Sequence, residues 1–153
     1  MASVAYFFET HVAAPRDAAF AWWTNFTPEE HEGDRHLQGT RMNLVRSGDQ
    51  WTWTDEYVAL GLRTRWSFRA RTEAPKREEF HAVTALGELR GTIRFETRER
   101  RTLVVEEGVF RARGLGRLLL PFLKRRLVRL LETEFCEHWA EFERESSSRR
   151  STI

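Results

Sequence analysis

A chain of 153 residues with 41% hydrophobic content has room for one domain with a full core and none for a second, since a domain of this size buries about 70% of its unfolded surface. Its apolar runs fall short of the roughly 18 residues a membrane helix needs, its N-terminus has neither a basic leader nor a small-residue cleavage site, and its single cysteine, Cys136, excludes an intrachain disulfide and a thiolate metal cluster. Formal net charge is only +2 although the pI is about 9.1, so basic character has to sit in local patches.

These bounds lead to the expectation of a cytoplasmic protein that is not transmembrane, with Cys136 a packed thiol rather than a nucleophile. Six Trp and eleven Phe demand either a bulky core or a lined pocket.

In chain order, Val4, Tyr6, Phe8, Thr10 and Val12 alternate with Glu9 and His11, the period of a half-buried strand. Ala14-Pro15 ends it, because proline cannot give an N–H to a ladder but suits the first turn of a helix. Arg16 to Thr24 follow as that helix, with Ala19, Phe20 and Trp23 at helical spacing. Thr27-Pro28-Glu29-Glu30 is a capping-box pattern that predicts a second short helix to about Asp34.

From Thr40 to Arg111 the pattern changes to six strands, separated at Ser47-Gly48-Asp49, Leu60-Gly61, Ala74-Pro75, Leu86-Gly87 and Arg100-Arg101. Leu62, Thr64, Trp66, Phe68 and Ala70 alternate with Arg63, Arg65, Ser67, Arg69 and Arg71, which separates an apolar face from a basic one. A two-residue turn at Leu60-Gly61 pairs Ala59 with Leu62, Tyr57 with Thr64, Asp55 with Trp66 and Trp53 with Phe68, putting Trp53, Asp55 and Tyr57 on the aromatic face. The same rule at Gly48-Asp49 brings Met42 and Leu44 there. Phe80, Ala82, Leu89, Gly91, Ile93 and Phe95 extend that face if Leu86-Gly87 turns in two residues, provided that the Ala74-Pro75 connection has odd length.

A helix is predicted from about Leu115 to Glu145, with Leu120, Leu123, Leu127, Leu130, Leu131, Glu134 and His138 on one face. At about 45 Å it can bury that stripe only by lying along a concave sheet. Pro121 marks a kink or the start of the helix. Residues 1–145 form the expected domain, and the Ser- and Arg-rich residues 146–153 a disordered tail.

Strand, two short helices, six strands and one long helix is an order that resembles the START-like helix-grip superfamily, SRPBCC, and within it the polyketide cyclase/dehydrase branch. The resemblance is carried by His11-Val12-Ala13-Ala14-Pro15 running into Arg16-Asp17-Ala18-Ala19-Phe20-Ala21-Trp22, and by Gly87 to Gly91 followed by Thr102-Leu103-Val104. It implies an α+β fold in which a curved antiparallel sheet of about seven strands (β-α-α-β6-α) wraps around the C-terminal helix. The superfamily spans lipid carriers, aromatase/cyclases, ubiquinone-binding proteins and chaperone-associated domains, so the fold alone does not assign a function. Ala19 is smaller than the hydrophobic residue usual after the first proline.

In such a fold the residues placed to contact a small apolar ligand are Trp23, Met42, Leu44, Trp53, Tyr57, Trp66, Phe68, Phe80, Ile93, Phe95, Leu127 and Leu131; as an ordinary core, the same residues would simply pack. Asp55, Glu106, Glu134 and His138, with His81, are the ionisable candidates for catalysis. Asp55 would be a desolvated acid or base, or would take a structural hydrogen bond. Glu134 and His138, one turn apart, would form an inward acid–imidazole pair or stand in solvent where the helix outruns the sheet.

His31-Glu32-Gly33-Asp34-Arg35-His36 matches no established ligand spacing and reads as a solvated loop, so no metal is expected. No P-loop, dinucleotide fingerprint, GxSxG elbow or HExxH occurs, and no cofactor is expected.

Charge in the last helix is placed against its dipole. Arg111, Arg113, Arg117, Lys124, Arg125, Arg126 and Arg129 come with no acid between them, whereas Glu132, Glu134, Glu137, Glu141, Glu143 and Glu145 follow, an arrangement costing about 0.3 to 1 kcal/mol per terminal charge. Either strand acids neutralise the cluster, or Lys124, Arg125 and Arg126 meet an anionic surface, an acidic protein or a ligand carboxylate. Inward-facing aromatics argue against nucleic acid. Three functions stay open for a monomer or homodimer: a binder of a small apolar, lipid- or polyketide-like molecule, a polyketide cyclase or dehydratase, and a membrane-peripheral or protein-interaction module.

Overall fold

Alternating side chains and short turns produce seven strands and two helices among residues 2–26, 38–59 and 62–151, which the computed structural model describes. The elements are β1 (Ser3–Val12), α1 (Arg16–Trp23), β2 (Gln38–Ser47), β3 (Gln50–Ala59), β4 (Leu62–Glu73), β5 (Arg77–Thr84), β6 (Gly87–Arg98), β7 (Arg101–Ala112) and α2 (Gly116–Arg150). One antiparallel sheet has the order β1-β7-β6-β5-β4-β3-β2, a meander whose last strand returns beside the first. The expected second helix and the His31–His36 stretch lie outside the described residues.

Turn length sets which face each strand presents. Ala59 pairs with Leu62, and Tyr57, Asp55 and Trp53 oppose Thr64, Trp66 and Phe68, as the two-residue turn requires. The β4–β5 connection has the odd length needed, with Glu73 opposite Arg77. At the β5–β6 turn Thr84, not Ala85, lies next to the loop and pairs with Gly87. The pairing differs from the expected one by two residues, and because side chains alternate with period two the faces are unchanged. Gly91 and Gly108 pair in the middle of the sheet. A Cβ on Gly91 would lie 2.5 Å from the Phe80 ring, and one on Gly108 2.8 Å from the Tyr6 ring, so the two glycines form a trough in which neighbouring rings lie flat.

The face assignment fails in one place. Ser47 pairs with Gln50 as expected, but the β2–β3 register shifts between Met42 and Val45, and Asn43 takes a left-handed φ of 55°. Such a bulge sets an extra residue against the partner strand and reverses the alternation beyond it. Leu44 stays on the inner side and packs against the cluster of Phe26, Trp53 and Ala70; Met42 moves opposite the outward Thr54, and Arg41 enters opposite Asp55.

The C-terminal half of α2 is anchored by aromatics. Phe135, Trp139 and Phe142 are buried; Trp139 meets Trp22, Trp23 and Phe95 at 5.4–5.9 Å between centroids, and Phe135 meets Phe8 at 5.7 Å. Burying one such side chain contributes about 1.5–3 kcal/mol. Two acids of this half also accept hydrogen bonds from the β1–α1 region, Glu143 from the Ala13 N–H at 3.2 Å and Glu145 from the Trp22 indole at 3.1 Å. This clamp accounts for helix persisting to Arg150, past the expected end at Glu145, so the start of the proposed tail is helical. Pro121 lies inside α2 and does not begin it. Cys136 is exposed, not packed; partial burial, then Glu132 and Glu137, raise its thiol pKa, which disfavours the thiolate.

Candidate functional site

Anchoring α2 at its aromatic C-terminal half leaves the leucine-rich N-terminal half standing off the sheet. Between them is a cavity of about 650 Å³, within the range of small-molecule sites. The expected stripe of α2, Leu120 to His138, borders it throughout. From the sheet come Trp53, Tyr57, Trp66, Phe68, Phe80 and Ile93, and Trp23 closes one side. Leu127 and Leu131 stand across from them on α2.

Three of the expected contact residues are elsewhere. Phe95 is core, edge-on to Phe20 and Trp139. Leu44 packs against the Phe26, Trp53 and Ala70 cluster and does not border the cavity, and Met42 is turned to the other face by the bulge. Phe26, Arg41, Glu78 and Phe110 border the cavity although sequence reasoning passed over them. Alternation did carry a signal for Glu78 and Phe110, whose positions share parity with Phe80 and Glu106; Arg41 had none, because its face depends on the bulge.

Polar groups gather at one end. The Asp55 carboxylate, 1% exposed, accepts from Arg41 Nε at 3.1 Å, Trp53 Nε1 at 2.9 Å and the Tyr57 hydroxyl at 2.8 Å. Arg41, itself 8% exposed, lies over the Trp53 ring at 4.7 Å, an attraction of about 2 kcal/mol once water is excluded. So many side-chain donors hold Asp55 as a structural anchor. Burial, followed by the nearby Glu134 and Asp55 carboxylates, raises the Tyr57 phenol well above its ordinary value, and Tyr57 stays a hydrogen-bond donor.

Glu106, opposite Ile93 on β6 and Phe8 on β1, differs from Asp55. Its one described donor is the Tyr6 hydroxyl at 3.1 Å, and desolvation outweighs that bond and pushes its carboxyl up to about 7. Burial and then Glu106 itself raise the Tyr6 phenol, keeping it protonated. Glu134 and His138 also face the cavity, half-buried, so the helix does not outrun the sheet here. His138 stands edge-on to Trp23 at 5.6 Å, and its buried Nδ1 has no hydrogen-bond partner among the described residues. Glu78 accepts the Trp23 indole N–H at 2.8 Å.

His81 points to the outer face of the sheet, where its Nε2 lies 2.9 Å from Glu88; that hydrogen bond, then Arg113 and Arg90, lower the Glu88 carboxyl pKa. It is removed from the candidates for catalysis. Lys124, Arg125 and Arg126 are exposed, with Arg126 at the cavity rim. Among the described residues no His, Cys, Asp and Glu group could hold a metal ion, and no helix is long and apolar enough to cross a membrane.

No protein-family model matches the chain, and no curated protein matches it. Among solved structures it is similar to the Zhui aromatase/cyclase from Streptomyces sp. R1128, with a TM-score of 0.75 at 15% identity over 94% of this chain and 96% of that one. TTHA0849 from Thermus thermophilus gives 0.69 at 19% identity over 93% and 95%. Ara h 8.0201 gives 0.70 at 10% identity over 94% and 99%. The chain therefore has the START-like helix-grip fold, a curved seven-stranded antiparallel sheet gripping a long C-terminal helix.

Proposed function

We propose that this helix-grip domain binds a small, largely apolar molecule with a flat ring system, lipid- or polyketide-like in character, in the cavity between the sheet and α2. The carrying observation is the cavity itself, about 650 Å³, walled by indole and phenyl rings on one side and leucines on the other. Trp66 and Phe68, half-buried with centroids 6.4 Å apart, present ring faces on which a planar ligand stacks. Native mass spectrometry of freshly purified protein should find a retained mass, and planar apolar probes should quench or shift Trp emission. No retained mass together with no spectral response to any probe overturns the reading.

A second reading, a cofactor-independent cyclase or dehydratase, is favoured by Glu106. A cavity-facing carboxyl at about 7 is matched to proton transfer near neutrality, and the Zhui likeness agrees with that class. With a poly-β-ketone probe, Glu106→Gln should cut turnover by about 10² to 10⁴ while leaving probe affinity within a few-fold. Equal turnover in the variant removes the enzymatic reading and leaves the carrier.

A further inference from the structure

The first turns of α2 carry, on the side away from the core, apolar side chains that neither packing nor the cavity uses. Leu118 is 70% and Phe122 83% exposed, with Leu115 beside them at 70%. At 3.6 residues per turn Leu118, Phe122, Arg125 and Arg129 fall within about 60° of one another, so one face starts apolar and continues basic. Arg113 reaches Glu88 at 3.1 Å, but Arg117, Lys124, Arg125, Arg126 and Arg129 make no ion pair among the described residues. No acid sits in the first turn of the helix, and its dipole leaves the local field positive. The stripe also adjoins the cavity, since Leu119, Arg126 and Arg129 border both.

We propose that this face docks on the surface of an anionic lipid bilayer, with Leu118 and Phe122 entering the interfacial layer and the arginines meeting headgroup phosphates. Exposed apolar tips followed by unpaired cations on one side of a helix suit an interfacial helix lying in the membrane plane. An acidic protein would satisfy the cations but would need a shaped pocket for Phe122, whereas a bilayer accepts both without one. Docking here sets the cavity rim against the lipid. The inference stands on the helix face and holds whatever the cavity binds.

Co-sedimentation of the full chain with phosphatidylcholine vesicles, with and without phosphatidylglycerol, tests it. Binding is expected to the anionic vesicles only, and to weaken steeply as salt rises toward 0.15 M, where screening length falls to about 8 Å. Lys124→Glu with Arg125→Glu should lower the affinity at least about tenfold, and Leu118→Ser with Phe122→Ser by a similar factor, both with melting temperature unchanged because all four side chains are exposed. No binding of the wild type to anionic vesicles, equal binding to neutral ones, or undiminished binding by the serine variant overturns the proposal. A concentration-dependent dimer that the serine variant dissociates would assign the face to a second copy, and capture by an acidic polypeptide without vesicle binding would assign it to an acidic partner. Either result overturns lipid docking.

Discussion

Asp55 and Glu106 are both inward carboxyls on the sheet, and their neighbours give them opposite characters. Asp55 is saturated by donors including the buried guanidinium of Arg41. Asp55→Asn, nearly isosteric, would therefore remove the charge that the buried Arg41 guanidinium faces and should cost about 3 to 5 kcal/mol in urea unfolding. Replacing both partners by apolar residues, Arg41→Met with Asp55→Leu, should recover only part of that loss, because the Trp53 and Tyr57 donors lose their shared acceptor, and a double-mutant cycle measures the coupling. Glu106 has a folded pKa of about 7 against an ordinary 4.5, so the folded state keeps a proton that the unfolded chain gives up. Stability contributed at low pH is thus lost as pH rises from about 4.5 through 7, by up to about 3 kcal/mol. Glu106→Gln should flatten that slope, visible as a smaller difference between denaturant midpoints at about pH 5 and pH 8.

At the scale of elements, alternation and turn parity were enough to read the inner face of β3 through β6, because both are properties of neighbouring residues. Even the mistaken pairing at the β5–β6 turn left every face in place, since it was off by two. The bulge at Asn43 was not legible: a left-handed residue within a strand has no periodic signature, and it exchanges Met42 for Arg41. Gly91 was placed on the inner face, but its pairing with Gly108 as a trough was not legible, since it needs the rings of Phe80 and Tyr6 over the two glycines. Gly91→Ala places a methyl 2.5 Å from both the Phe80 ring and the Glu107 carbonyl. It should cost about 1 to 3 kcal/mol by overpacking and, by moving Phe80, change probe affinity as well, both readable in one thermal and fluorescence titration.

Over the whole molecule, the cavity results from an imbalance along α2. Phe135, Trp139 and Phe142 fill the space beneath the C-terminal half, while the leucines of the N-terminal half line a cavity whose other wall holds Trp66 and Phe68. Leu127→Trp should fill part of that space, reducing probe binding at least tenfold while leaving the melting temperature equal or higher, because the added ring replaces void instead of displacing neighbours. A variant that unfolds would mean that the space is already occupied by packed side chains. The sequence by itself determined the strand phases outside the β2 bulge, the meander and the long final helix, since period, parity and turn chemistry act between residues close in the chain. Whether the aromatic face closes into a core or lines a void, which acid is anchored and which is poised near 7, and which stripe of α2 faces solvent were decided only by tertiary structure, because each depends on the distance between elements far apart in sequence.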